Sequence, residues 1–413
     1  MTEKVFIRAE GKLVSPLSVS NGEEENSDAD IMRDFDGQPF IPGTSIAGAL
    51  RSYLEEKDAN ALFGYIEGEA VHQSPVTVYD AYITGENTSV GLRDGISLSE
   101  ERIAEDTAKF DYEIVENGNV AFCFEFYDEN SRYENSLISL LAAVNRGEIR
   151  FGHKKNRGNG RILFLKVLKK SYRYGEPFYE FDWDTFDWNA ADVKSVKLPA
   201  FQKEKGHYRI LRVPLRLASG ISIRRYSSLK NREDYAAVTR RNEEGKAVPV
   251  IPGTSWNGAL RHRAGRILEE LGVKDADTVI DFIFGGKKGS ISASKVVIGE
   301  SILTDSVSVP MTRNRINRFD NAAMNRALYT EVSRFGGNCA LEIMIKQDEN
   351  TDWIAGLFDL VLKDLNYGFL AVGGQISIGR GIFFFDRYEN DREQKELSAL
   401  KEKLRVFTGR SEK

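Results

Sequence analysis

The sequence predicts an α+β protein built from two tandem units, each with the βαββαβ order of a ferredoxin-like fold. Three observations predict it. The stretch 41–51, Ile-Pro-Gly-Thr-Ser-Ile-Ala-Gly-Ala-Leu-Arg, returns at 251–261 with only two positions changed. The same succession of strand-like and helix-like segments surrounds both copies. A glycine-rich loop feeding a last apolar strand closes both, at 152–164 and 373–383. Self-similarity of this kind marks duplicated supersecondary units, and 413 residues are enough for two cores. The expected boundaries are 1–169 for the first unit, 170–206 for a linker, 207–390 for the second unit and 391–413 for a polar C-terminal helix and tail.

Each element has its own warrant. Residues 5–13 and 208–217 alternate in part between apolar and polar, which suits a strand with one buried face. After a polar loop, Pro-Gly forces a turn, and Thr44-Ser45 and Thr254-Ser255 are placed to cap the helix that follows. Ile46, Leu50, Tyr53 and Leu54 then recur at helical spacing, as do Trp256, Leu260, Ala264, Ile267 and Leu268. Phe63-Gly64 and Phe284-Gly285 precede strands at 76–82 and 294–298. Polar segments with no clear period follow at 84–109 and 302–327, and strands return at 110–115 and 328–332. A second amphipathic helix is expected at 136–145, ended by Gly147, and at 353–366, ended by Gly368. The aromatic, acidic stretch 178–188 is expected to pack the linker onto a sheet.

Composition narrows the class. No run of residues approaches a membrane span, so no membrane partner is expected. Met1-Thr2-Glu3-Lys4 lacks a secretory pattern, which points to a cytoplasmic protein. Cys123 and Cys339 each sit in an apolar run, which argues against a disulfide framework or a thiolate metal site. The net charge of −5 speaks mildly against nonspecific nucleic-acid binding, yet the charge is segregated. Residues 153–157, Arg224-Arg225 and the series Arg313, Arg315, Arg318 and Arg326 are basic, which allows a basic groove on an acidic body.

Residues 33–51 read Arg-Asp-x-x-Gly-x-Pro-Phe-Ile-Pro-Gly-Thr-Ser-x-x-Gly-Ala-Leu-Arg, and both units carry the Phe-Gly pair and the closing glycine loop. In this combination the chain resembles the RAMP superfamily, the RNA-recognition-motif-like backbone subunits of class 1 CRISPR effector complexes. In detail it is similar to the type III subunits that hold CRISPR RNA and cut target RNA. Two fused units resemble the double-backbone subunits of type III-D complexes. The resemblance implies inserted thumb-like loops and three kinds of partner: CRISPR RNA, target RNA and other CRISPR effector subunits.

It also implies site residues. The family's cutting aspartate lies six residues before the Asp of the Arg-Asp pair, which lands on Asp28. Asp28 would act with a divalent metal ion, Mg²⁺ or similar, as ligand and catalytic group, so that a ribose 2′-OH attacks the adjoining phosphate. The second unit lacks the Arg-Asp pair; Asp234 is its counterpart candidate, with Glu233, Glu243 and Glu244 as alternatives. Lys154, Lys155, Arg157 and Arg161 beside the glycines of the first closing loop suit phosphate contacts, as does Arg380 in the second. Thr44, Ser45, Thr254 and Ser255 at helix starts, with Arg51 and Arg261 two turns in, are further RNA-binding candidates. Arg313, Arg315 and Arg318 occupy the thumb position of the second unit.

Three other readings use the same residues. A binding-only scaffold would share the fold and groove without chemistry. A metal-independent CRISPR RNA processing endonuclease would use His153 as general acid or base. Outside nucleic acids, two ferredoxin-like domains can form an interaction module, for which the acidic balance of charge is the support.

Overall fold

A computed structural model describes residues 3–20, 27–98, 104–173, 182–183, 185–199, 206–226, 233–286, 293–325, 327–386, 388 and 390–409. Burial alternates along β1 (Glu3–Leu13), which lies at the centre of the first sheet. Next come α1 (Gly43–Arg51), α2 (Glu56–Phe63), β2 (Val76–Val78), β3 (Ala81–Leu98), β4 (Ala104–Asp128), α3 (Arg132–Arg146) and β5 (Ile162–Arg173). The ferredoxin-like strands pair antiparallel in the order β2–β4–β1–β5, with Ile7 opposite Phe124 on one side and Lys169 on the other. The apolar stripes of α1 and α3 cover one face, so Ile46, Leu50, Leu140 and Leu141 meet Ile7, Phe122 and Phe124 in one core. Each such side chain contributes about 1.5–3 kcal/mol by leaving water.

The second unit repeats this. β6 (Tyr208–Leu217), α4 (Gly253–Glu270), α5 (Ala276–Phe284), β7 (Val296–Ile298), β8 (Val307–Arg313), β9 (Tyr329–Phe335), β10 (Asn338–Lys346), α6 (Thr351–Asn366) and β11 (Phe383–Phe384) follow in order. The sheet runs β7–β10–β6–β11, the same arrangement as in the first unit. Its core centres on Trp256, Phe284, Ile343, Phe358 and Phe383. The C-terminal helix α7 (Glu393–Thr408) lies on α6, where Gly356 leaves room for the Glu396 backbone. Among the described residues no helix is long and apolar enough to cross a membrane.

Two expectations need correction. The polar segment 84–109 is largely strand: β3 and β4 form one long hairpin, from Ile83 opposite Val120 to Leu98 opposite Ala104. It projects beyond the core with Val90, Leu92 and Ile96 exposed and the alternate residues Gly91, Arg93 and Gly95 covered. The apolar residues face out, so the burial pattern leaves no apolar-inward signal in the sequence. In the second unit β8 and β9 form the corresponding hairpin, and 314–325 is its irregular tip. The helix expected from Ser136 begins at Arg132, because the Asp128 carboxylate accepts the N–H groups of Arg132 and Glu134 at 3.0 and 2.9 Å.

The described part of the linker packs onto the outer face of the first sheet. Trp183 and Trp188 stack at 5.6 Å and, with Phe186, cover Phe6, Leu168 and Tyr172. The two units also touch directly. Gly158 of the first closing loop sits against Gly299, so close that a Cβ on Gly158 would stand 2.5 Å from the Gly299 Cα. Arg93 pairs with Glu300 at 3.0 Å, Lys12 with Glu243 at 2.7 Å and Arg161 with Glu342 at 3.6 Å across the junction.

Candidate functional site

Asp28 stands beside the first long hairpin, against Asp111, which pairs with Asp94 about midway between the Ile83–Val120 and Leu98–Ala104 ends. The loop before α1 is tied to β4 by Glu113, a buried carboxylate that accepts the Ile31 N–H at 3.1 Å and pairs with Arg33 at 2.9 Å. That bond raises the Arg33 pKa above its usual value despite partial burial. The Glu113 N–H in turn donates to the Ala29 carbonyl at 3.0 Å. Asp34, the other half of the Arg-Asp pair, folds the next turn by accepting N–H groups from Asp36 and Gln38. The pair therefore shapes the loop that presents Asp28.

Asp28 is exposed, and its Oδ2 accepts the Asp111 N–H at 2.8 Å while Asp111 Oδ1 accepts the Asp28 N–H at 3.2 Å. Two carboxylates thus lie together beside the hairpin, Asp28 exposed and Asp111 partly buried. In the second unit Asp234 Oδ2 accepts the Thr330 N–H at 2.7 Å, and the Asp234 N–H donates to the Thr330 carbonyl at 2.8 Å. Asp234 therefore occupies the station of Asp28, whereas Glu243 is engaged by Lys12 and Glu244 by Lys246. The difference lies in the partner, which is Asp111 in one unit and Thr330 in the other. Asp111 was not singled out by sequence; the signal was the alternation of aromatic and acidic residues along 110–113.

Among the described residues no group of three His, Cys, Asp or Glu could hold a metal ion. Mg²⁺, however, is commonly held by one or two carboxylates with substrate phosphate oxygens and water completing the shell. Asp28 with Asp111 fits that donor set. Asp234 with the Thr330 backbone offers one carboxylate and fits it less well.

The first closing loop curls beside the same hairpin. Lys154 adopts a left-handed backbone, φ 55°, and sets its ammonium 3.5 Å from the Tyr112 ring centre and 4.3 Å from that of Phe110. Burial, with the charge of Arg157, lowers Lys154 to about 8. Lys155 and His153 are exposed, and Arg161 turns to Glu342. Burial and the nearby Arg261 charge lower Arg157 to about 10. In the second closing loop Gln375 takes the place of Lys154 and donates to Glu331 at 2.9 Å. Arg380 is buried near Glu331, at 3.9 Å, which also pairs with Arg224 at 2.6 Å and lies 3.9 Å from Arg313. Those arginines neutralise a buried acid.

The helix starts differ from expectation. Thr44, Ser45, Thr254 and Ser255 do not cap: the N-caps are Pro42 and Pro252, and no side-chain cap bond forms. Gly43 and Gly253 back onto the Val78 and Ile298 carbonyls, 2.2 and 2.5 Å from where a Cβ would stand, so each helix begins at its glycine and the hydroxyls fall within the first turn. The Gly43 N–H is satisfied by Asp80 Oδ1 at 2.7 Å instead. Arg51 and Arg261 have structural partners. Each donates to the carbonyl of the Phe-Gly glycine, Gly64 or Gly285, and Arg261 also pairs with Asp281. Arg315 and Arg318 are exposed on the tip of the second hairpin, beside the fully exposed Phe319, while Arg326 lies outside the described residues.

The family model described as the RAMP superfamily matches residues 10–163 and 214–383. No curated protein matches the chain. Among solved structures the chain is similar to a chain of the "Cryo-EM structure of the Type III-B Cmr-beta bound to cognate target RNA", at 16% identity and a TM-score of 0.34. That likeness covers 41% of this chain and 61% of the other, less than two thirds of the neighbour's length. The family match spans most of the chain and falls once on each unit, so this chain belongs to the RAMP superfamily.

Proposed function

We propose that the chain is an RNA-binding backbone subunit of a type III CRISPR ribonucleoprotein, which holds CRISPR RNA and cuts complementary target RNA at Asp28. The observation that carries the chemistry is the Asp28–Asp111 pair, an exposed and a partly buried carboxylate fixed beside the hairpin by reciprocal bonds to each other's backbone N–H. Asp28 and Asp111 would hold a divalent ion through the carboxylate oxygens that those bonds leave open. Such an ion supplies Lewis acidity at the scissile phosphate. The Glu113–Arg33 pair keeps the loop in place, so the carboxylates need little reorganisation when substrate arrives. Lys154 adds positive charge on the other side of the same strand, where the backbone of a bound strand would gain from it.

Sequence selection would come from guide–target pairing, with the protein reading backbone shape. The test is cleavage of a target RNA by the assembled complex: Asp28→Ala should abolish one set of cuts while target binding persists. A second reading, a scaffold that binds without cutting, has one observation in its favour. The Asp28 carboxylate already has a structural task in holding the Asp111 amide. Metal-independent cutting of precursor RNA by the chain alone would instead favour His153, which is exposed in the first closing loop.

A further inference from the structure

The junction between the units encloses a cavity of about 10 Å³, room for one water-sized atom. Arg93, Arg157, Asn159, Gly253, Thr254 and Glu300 contribute to its wall. Among the described residues Arg93 Nη1 and Arg157 Nη1 in that wall are buried without a hydrogen-bond partner, and the Asn159 amide lies against the Tyr112 hydroxyl, also in the wall. Arg93 and Asn159 are only 7% and 8% exposed. Such groups each cost free energy unless something answers them.

The charges are unbalanced too. Glu300 is the acid in the wall, and it is shared between Arg93, at 3.0 Å, and Arg240, at 3.6 Å, with its Oε1 accepting no hydrogen bond. Arg157 brings a further guanidinium, which pairs with no carboxylate among the described residues. The helix start adds to this. Glu300 occupies the station at which Asp80 binds the Gly43 N–H, but it has turned to the arginines, so the Gly253 N–H lacks that carboxylate. A helix N-terminus with its first N–H groups free favours an anion.

We propose that this cavity is a phosphate-oxygen site made jointly by the two units. One anionic oxygen of a phosphate group enters past the exposed Thr254 and is held by Arg157, Arg93, Asn159 and the start of α4. The inference rests on the RNA-binding reading above, which supplies the group as a phosphodiester of a strand crossing the junction. The volume admits an oxygen and leaves the rest of the phosphate at the rim.

Two measurements on the full chain test it. In RNA-free protein, inorganic phosphate should raise Tm saturably, by roughly 2–4 °C at tenfold excess over Kd, relative to chloride of equal ionic strength. Arg157→Gln and Asn159→Ala should each lose that rise. With a single-stranded RNA, Arg157→Gln should weaken binding about tenfold and lower the slope of log K against log salt by about 0.7. No phosphate-dependent rise in the wild-type chain overturns the site, whatever the variants do. A rise in the wild type with unchanged RNA affinity and slope in the variants overturns the RNA source and leaves a site for free phosphate. A rise in a chain that binds no RNA contradicts the proposed function instead, and leaves the cavity assignment standing.

Discussion

The two units share a backbone plan and differ in where they place charge. Beside its hairpin the first unit has Asp28 against Asp111, and the second has Asp234 against Thr330. Under the closing loop the first unit sets Lys154 on the rings of Tyr112 and Phe110, while the second buries Glu331 among Arg224, Arg313 and Arg380. The loop tips differ as well: Arg157 and Gly158 are packed against the second unit, whereas Ile378 and Gly379 at the matching positions stand open. Duplication kept the core and its geometry. Both units bury an acid against arginine, Glu113 with Arg33 and Glu331 with Arg224. The first, however, sets Asp111 beside its loop aspartate where the second has Thr330, and the second gathers two further arginines around its buried acid.

The sharpest way to break this comparison is to remove the buried acid. Glu331 is 1% exposed, and Glu331→Ala leaves three guanidiniums without their shared counter-charge. The expected loss is about 3–5 kcal/mol, read by denaturant unfolding, with slowed amide-exchange protection lost first in the second unit. An effect below about 1 kcal/mol would mean that the cluster is solvated and that Arg380 and Arg313 are free for other partners.

The loop comparison predicts a smaller difference. Gly158 and Gly379 both have left-handed backbones, φ 91° and 79°, but a Cβ at Gly379 meets nothing within 4 Å. Gly379→Ala should cost about 1 kcal/mol, the conformational penalty alone. Gly158→Ala should cost about 1–3 kcal/mol more through the clash with Gly299. Equal costs in thermal or chemical unfolding would show that the units are not docked through this loop.

A further effect concerns pH. Asp359, buried on α6 and bonded by Tyr388 and Asn390, is raised to about 6, chiefly by burial. A raised carboxyl contributes stability that is complete below its unfolded pKa near 4 and is lost as pH climbs through 6. That contribution is at most about 3 kcal/mol. Asp359→Asn should therefore flatten the stability profile between pH 4 and 6 relative to wild type. An unchanged difference between the two proteins across that window would contradict it.

Much of the fold was legible because apolar spacing and the repeated Pro-Gly-Thr-Ser element mark both helices and the strand order directly. The site was legible only in part. The family resemblance put the candidate Asp28 six residues before Asp34, but Asp111 lies eighty-three residues away and meets it only when the loop folds onto β4. The first thumb segment read as aperiodic because its covered face carries Gly91, Arg93 and Gly95 while Val90, Leu92 and Ile96 face out, the reverse of the usual apolar-inward pattern. Arg51 and Arg261 looked like groove residues, since a helix-face cation carries no sign that a Phe-Gly carbonyl waits for it. The glycines and cations of 152–161 suggested a ligand loop, yet Gly158 serves contact with the second unit, a demand that only the folded pair of units reveals.

The most direct measurement is a cleavage map of guide-complementary RNA with the assembled complex, in Mg²⁺, for wild type, Asp28→Ala and Asp234→Ala. The paired-carboxylate account predicts that Asp28→Ala loses its cuts by at least about 100-fold with target binding intact, and that Asp234→Ala keeps them. An unchanged ladder in Asp28→Ala, or loss of the same cuts in Asp234→Ala alone, would contradict it.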